Sequence, residues 1–194
     1  MTILCARGLG VLAFAVAVCN SVAQPLAPST TWPTRAIRLI VPFPPGGGTD
    51  TFARPLAAQL SKELGQQVVV DNKGGAGGTI GASLAAKSPA DGYTVLMGAV
   101  HHTVAESFYK NLPYDLERDL TPIRGVAFVP DVLVVNKKLP MLTVGDFIQH
   151  AKNPSVKMNY GSSGNGTTRH LAGEIFNKLT GTSLLHIPYK GSGP

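Results

Sequence analysis

Cysteine is nearly absent: Cys5 and Cys19 are the only two in 194 residues. A disulfide scaffold and a cysteine zinc site are thereby excluded. Charge is sparse at 14%, and Lys137-Lys138 is the only adjacent basic pair. The net charge of +6 is therefore dispersed. That favours small anionic ligands over nucleic acid, for which RNA-binding motifs and aromatic platforms are also missing. No apolar run reaches the ~18 residues needed to span a bilayer. What is abundant is glycine and proline, 22 and 15 residues. Together they exceed the ordinary ~12% but fall short of the ~25–30% of low-complexity chains. With 44% apolar residues the chain can bury a core, in one large domain or two small ones.

The first 23 residues carry one charge, Arg7, followed by an apolar stretch from Gly8 to Cys19. Ser21-Val22-Ala23 then places small residues at the −3 and −1 positions of a cut before Gln24. A basic start, a short apolar core and a small-x-small site predict a secretory signal peptide, residues 1–23, and export to the periplasm. A buried N-terminal helix is the alternative, opposed by the Pro/Ser/Thr-rich stretch that follows. Lipidation at Cys19 is disfavoured by Val18 just before it. After cleavage neither cysteine remains, so no oxidative folding is required.

Residues 24–34 read as a flexible leader. Ala36 to Pro42 is apolar nearly throughout, as a buried parallel strand would be. Phe52, Leu56, Leu60 and Leu64 then recur every four residues, predicting a helix that Gly65 ends. A second strand is predicted at Gln67–Asp71, a short helix at Thr79–Ala86 and a third strand at Tyr93–Met97. This alternation implies an α/β fold with a mostly parallel sheet. A Pro-flanked polar connector follows at residues 112–122. Val126–Val135 is a β-rich run, Thr143–Ala151 a helix, Met158–Tyr160 a strand, Thr168–Leu179 a helix and Leu184–Tyr189 a last strand. Two βα lobes are therefore expected, residues 35–125 and 126–194.

Three loops share one context, a strand end leading into a helix start: Gly46–Asp50, Gly74–Gly78 and Gly161–Thr167. Glycine lets backbone N–H groups turn toward a ligand. A helix N-terminus favours an anion by about 0.3–1 kcal/mol, up to ~2 when partly buried. Open α/β sheets bind ligands at such strand ends. Ordinary turn and capping chemistry explains any one loop equally well. Catalytic signatures fail. No Gly-Lys-Ser/Thr follows the glycines, no G-x-G-x-x-G is complete, and Gly161-Ser-Ser-Gly-Asn165 misses the G-x-S-x-G spacing. His101 and His102 are neighbours, and on an extended segment they would point opposite ways, against a two-His metal site. Arg169 and His170 either face an anionic ligand or are a surface Arg and a hydrogen-bonded His. Asp50 either caps its helix or meets a ligand.

Several segments together carry a family resemblance. They are Trp32-Pro33, Val41-Pro-Phe-Pro-Pro-Gly-Gly-Gly-Thr-Asp50, Leu64-Gly-Gln-Gln-Val-Val-Val70, Gly75-Ala-Gly-Gly78, Pro89-Ala-Asp-Gly-Tyr-Thr94, Leu112-Pro-Tyr-Asp115, Tyr160-Gly-Ser-Ser-Gly164, His170-Leu-Ala-Gly-Glu174 and Ile187-Pro-Tyr-Lys-Gly191. In this order they resemble the Bug/TctC proteins, periplasmic substrate-binding proteins of tripartite tricarboxylate transporters. The resemblance implies a two-lobed type II periplasmic binding fold and a ligand carboxylate gripped between the lobes. Carried over by motif, the first-lobe grip is Gly47, Gly48, Thr49 and Asp50 with Gly98, Ala99, Val100 and His101. The second-lobe grip is Ser162, Ser163, Asn165, Thr167 and Thr168. His101 and Arg169 match no clear consensus.

The expected protein is a non-enzymatic receptor for a small carboxylate: a dicarboxylate, tricarboxylate, acidic amino acid or aromatic acid. It is expected to be monomeric, to need no cofactor or metal, and to serve an integral membrane permease. Gly48 is expected to demand glycine, because a Cβ would block the carboxylate or forbid the backbone φ. A periplasmic α/β hydrolase and a truncated, non-binding fragment are the alternatives. The family pattern continues past Lys190-Gly-Ser-Gly-Pro194 and the chain crosses between lobes once, so the C-terminal portion is expected to be missing. Broad unfolding and weak carboxylate binding would then follow.

Overall fold

A computed structural model describes residues 32–192. The signal peptide, its cleavage site and most of the leader lie outside the described residues. The central strand, β1 (Ile37–Val41), is followed by helix α1 (Gly48–Leu64) and strand β2 (Val68–Asn72). A single 3-10 turn, Ala76–Gly78, leads into α2 (Thr79–Ala86), and β3 (Thr94–Leu96) completes a parallel sheet in the order β2-β1-β3. Register runs from Ile37↔Val68 to Val41↔Asn72 on one side and Arg38↔Thr94 to Ile40↔Leu96 on the other. Alternation splits β1 between two faces. Ile37, Leu39 and Val41 pack on Ala53 and Ala57 of α1, with Leu56, Leu60 and Leu64 around them. Burial of side chains of this size stabilises by about 1.5–3 kcal/mol each. Ile40 faces the other way and is also fully buried. On that side α2 lies directly against the chain: a Cβ on Gly81 would meet Pro42 Cα and the Lys73 carbonyl at 2.8 Å.

The stripe predicted for α1 is partly corrected. Phe52 is exposed, and the buried centre is Ala53 and Ala57. Four residues overshoot a 3.6-residue turn by about 40°, so an every-fourth pattern drifts around the helix. Leu64 and Phe52 end up about 120° apart.

Next come α3 (His102–Phe108) and a short α4 (Leu116–Asp119), neither of them expected from the sequence. Residues 120–136 hold no regular structure, and Phe128, Val132 and Val134 are exposed. The β-rich run is therefore not a strand here. β-propensity makes a strand only where a neighbouring strand accepts its hydrogen bonds, and none of the described residues does. Helix α5 (Val144–Ala151) starts on a reciprocal cap between Thr143 and Asp146. Strand β4 (Asn159–Ser162), helix α6 (Thr168–Thr180) and strand β5 (Leu185–Pro188) form a second parallel pair, registered from Asn159↔Leu185 to Ser162↔Pro188. Met141, Phe147 and Leu184 centre its core, with the Phe147 and Phe176 rings 5.7 Å apart.

Candidate functional site

The carboxyl ends of these parallel strands lead into the loops flagged in the sequence. The first loop turns its polar groups inward. Asp50 is 2% exposed. Its Oδ2 accepts from Gly46 N at 2.9 Å and Arg54 Nε at 2.7 Å, and its Oδ1 from Asn72 Nδ2 at 2.9 Å. The Arg54 hydrogen bond, with Gly46 and Asn72, outweighs burial and holds the carboxyl down to about 2. Asn72 Nδ2 also reaches the Phe43 carbonyl at 2.9 Å. Asp50 thus ties β2, the β1 loop and α1 together. Gly47 is buried, while Gly48 is exposed and Thr49 half-buried at the opening of α1.

Gly98, Ala99 and Val100 lead into α3. His102 Nδ1 lies 3.1 Å from Ala99 N and 2.9 Å from Ala99 O, and Val100 O accepts from Thr103. His101 and His102 are both buried, their rings 4.3 Å apart. The extended-segment premise is corrected here: His101 has helical backbone angles, so the two rings lie side by side. Among the described residues no group of three potential metal ligands forms. The Phe43 and His101 rings meet edge to face with centroids 5.3 Å apart, and among the described residues His101 Nε2 has no hydrogen-bond partner. Burial first, then His102, pushes His101 down to about 4; the Gly77 backbone opposes this without reaching hydrogen-bond geometry at Nε2. His101 is therefore neutral at ordinary pH.

The second and third loops meet. Tyr109 Oη donates to the Asn165 carbonyl at 2.9 Å. A Cβ on Gly77 would lie 2.5 Å from that same carbonyl. Between the loops lies a cavity of about 290 Å³ lined by Gly75–Gly78, Ser163–Asn165, Phe43, Tyr109 and the Pro188–Lys190 segment. That is close to the lower end of ordinary small-ligand sites. Helix α2 starts at this cavity from Gly78, and α6 begins at Thr168, three residues past the lining Asn165; neither has a side-chain cap or an acidic residue in its first turn. The 3-10 turn engages the leading N–H groups of α2, Gly78 N donating to the Gly75 carbonyl and Thr79 N to the Ala76 carbonyl, and Thr167 N at the α6 start donates to the Gly164 carbonyl. Among the described residues no carboxylate lines the cavity, and Lys190 does. A larger hollow of about 520 Å³ lies by Lys152, Asn153, Lys157 and Ser183, at the amino ends of β4 and β5. No glycine-led helix start opens there, so the smaller cavity has the better chemistry.

The residues carried over by resemblance are thus divided. Ser163 and Asn165 line the cavity. Thr168 opens α6 and is exposed. Ser162 and Thr167 are buried and bond the Gly164 carbonyl at 3.1 and 2.7 Å, shaping the loop. The Gly47–Asp50 and Gly98–His101 groups do not line this cavity; only Phe43 comes to it from the first loop. Arg169 reaches Asp131 and Ser192 at 3.2 and 2.6 Å. Sequence reading passed over Tyr109, Tyr189 and Lys190 as site residues, although the last two sit in the quoted Ile187–Gly191 motif. It also missed a Ser–His contact, Ser162 Oγ to His186 Nε2 at 2.6 Å. That serine is 5% exposed and its hydroxyl is engaged by Gly164, so the geometry offers no accessible nucleophile.

Solved periplasmic binding proteins share this α/β arrangement. A structure titled R. palustris Rpa4515 with adipate is 43% identical, with a TM-score of 0.79 over 82% of this chain and 54% of that one. MatC from Rhodopseudomonas palustris, with bound malate, is 31% identical, with a TM-score of 0.75 over 84% of this chain and 56% of that one. The class is therefore the type II periplasmic binding fold. Protein BugT of Bordetella pertussis is 42% identical over 190 residues, 97% of this chain and 58% of its own length. A family model described as the tripartite tricarboxylate transporter family receptor matches residues 52–194. The chain belongs to that receptor family. It spans about half the length of the curated relatives it matches.

Proposed function

We propose that this protein is a periplasmic receptor that binds a small carboxylate and delivers it to an integral membrane permease, without catalysing a reaction. One observation carries the reading: the Gly75–Gly78 and Ser163–Asn165 segments, which lead into α2 and α6 with no acidic residue in either first turn, line one cavity that no carboxylate among the described residues lines. In this reading a ligand carboxylate takes the backbone N–H groups of Gly75–Gly77, Ser163 and Asn165, with the Ser163 hydroxyl and Asn165 amide completing the grip. Asp50 serves the fold, tying the β1 loop to β2 and α1. The aromatic wall of Phe43, Tyr109 and Tyr189 covers the ligand's carbon chain, and Lys190 balances a second negative charge. Residues 35–125 and 126–194 are the two lobes, and an N-terminal signal cut after Ala23 delivers the protein to the periplasm. The bound adipate and malate of two relatives agree with this ligand class.

Ligand-detected NMR, which registers weak binding, tests the proposal with malate, adipate and benzoate against glucose. Binding of one or more acids, weakened by Ser163→Ala or Asn165→Ala, is expected. No response to any acid, or an equal response to glucose, rejects the reading.

A further inference from the structure

Imidazole holds the β4–α6 loop at both ends. At its start Ser162 Oγ lies 2.6 Å from His186 Nε2 and accepts from Gly164 N at 3.1 Å. At its end Gly166 N donates to His170 Nδ1 at 3.1 Å. The two imidazoles stack, with centroids 4.0 Å apart and planes 18° from parallel. Ser163, Gly164 and Asn165, the cavity-lining part of the loop, lie between these anchors.

A backbone N–H can only donate, so His170 Nδ1 accepts and the ring proton sits on Nε2. Protonating His170 turns Nδ1 into a donor facing another donor. It also places a cation against the stacked His186 ring. Of the groups packed on the pair, the aromatic rings carry no charge to offset this, while the Glu174 carboxylate opposes it in part. Phe108 of α3 meets His170 edge-on at 5.6 Å, and Tyr160 of β4 stacks on His186 at 5.0 Å. Tyr160 Oη donates to Glu174 Oε1 at 2.7 Å and lies 3.2 Å from the His170 carbonyl. Burial and then His170 lower the His186 pKa, while Glu174 raises it. Arg169 is turned to Asp131 and Ser192.

We propose that His170 is a positioning residue for ligand capture: as a neutral imidazole it holds Gly166 N–H and keeps Ser163 and Asn165 facing the cavity, and its protonation releases the loop. This rests on the receptor reading above. It fixes a sign. A histidine touching the ligand would strengthen carboxylate binding in acid; a histidine that holds the loop weakens it.

The test is a malate titration of the full chain by NMR from about pH 8 to about pH 5.5, the range in which imidazole ionises. Exchange of the Gly166 amide is followed in the same samples with and without malate. Malate affinity should fall about tenfold toward acid pH, the size of one lost hydrogen bond. Gly166 should lose protection over the same range. His170→Asn places an amide oxygen where Nδ1 stands and cannot titrate. It should match the parent at high pH and show a shallower acid loss. Malate's own carboxylates titrate alike against both proteins, so the difference between profiles belongs to His170. His170→Phe keeps the ring without the acceptor and should bind weakly throughout. Constant Gly166 protection, coincident profiles for parent and His170→Asn, or tighter binding in acid would overturn the proposal. If neither malate nor adipate binds at any pH, the receptor reading fails, and Gly166 exchange in the ligand-free chain still decides the role of His170.

Discussion

Three helices follow glycine loops that look alike in sequence, and the structure sorts them into two kinds. Helix α1 starts on Gly47 and keeps its own carboxylate, Asp50, in the first turn. Helices α2 and α6 start with no acidic residue in that turn. Away from the cavity, α4 and α5 are closed by the Asp115 and Thr143 side chains, the usual way to satisfy leading N–H groups. Among the described residues, α1, α2, α3 and α6 all start without a side-chain cap, so the absence of a cap does not by itself mark the cavity; among the three helices that follow glycine loops, α1, α2 and α6, only α1 meets an internal anion. A helix start favours a nearby anion by roughly 0.3–1 kcal/mol, up to ~2 when partly buried. At α1 that advantage is already taken up by Asp50. At α2 and α6 it is left for a ligand.

The largest effect expected from this contrast is at Asp50. Asp50→Ala leaves Gly46 N without its acceptor and takes one of two acceptors from Asn72 Nδ2, which keeps the Phe43 carbonyl, and from Arg54, which keeps Asn72 Oδ1. Removing one member of a buried, hydrogen-bonded charge set costs about 3 kcal/mol, less than a wholly buried pair because Arg54 is half-exposed. Urea unfolding should show this loss, with carboxylate binding falling only as the folded fraction falls. Full stability with abolished binding would make Asp50 a ligand group and erase the distinction between α1 and the other two helices.

A smaller effect is expected at Gly77, where the second and third loops touch. Its φ is +62°, and an added Cβ would stand 2.5 Å from the Asn165 carbonyl and 2.9 Å from Tyr109 Oη. Gly77→Ala should therefore push the loops apart. Strain of about 1–2 kcal/mol is expected in stability, with malate binding about tenfold weaker. Unchanged binding would mean that the spacing of these loops does not set the grip.

The strands and most helices were legible because their signals are local. The apolar run at Ile37–Val41 and the break at Gly65 sit at the elements they define, and Gly65 adopts a left-handed cap. Helix α3 was not legible, because His101-His102-Thr103 carries no apolar period. The Val126–Val135 run misled for the opposite reason: its propensity is strong but the partner a strand needs is non-local. The site was half legible. Glycine loops at strand ends marked where a ligand could sit, and Ser163 and Asn165 came from that motif. Which loops meet across the cavity depends on tertiary placement, and so do Tyr109 and Lys190.

The smallest effect is expected at Gly48, and it sharpens the contrast most. The ground for requiring glycine there was blocked approach or a forbidden φ. Its φ is not among the positive ones, which in this loop fall at Gly46. An added Cβ meets nothing within 4 Å. Gly48 is the first residue of α1, where alanine restricts the unfolded chain and favours the helix. Gly48→Ala should therefore be neutral or stabilising by up to about 1 kcal/mol, read as an equal or higher thermal midpoint. Its malate affinity should equal that of the parent, while Gly77→Ala loses about tenfold. The pair isolates the cavity from the α1 start, since both changes add a single methyl to a glycine in a helix-leading loop. If Gly48→Ala loses binding as Gly77→Ala does and keeps its thermal midpoint, the ligand reaches the α1 start despite Asp50, and the ion pair with Arg54 must be what leaves that helix end open to a second carboxylate.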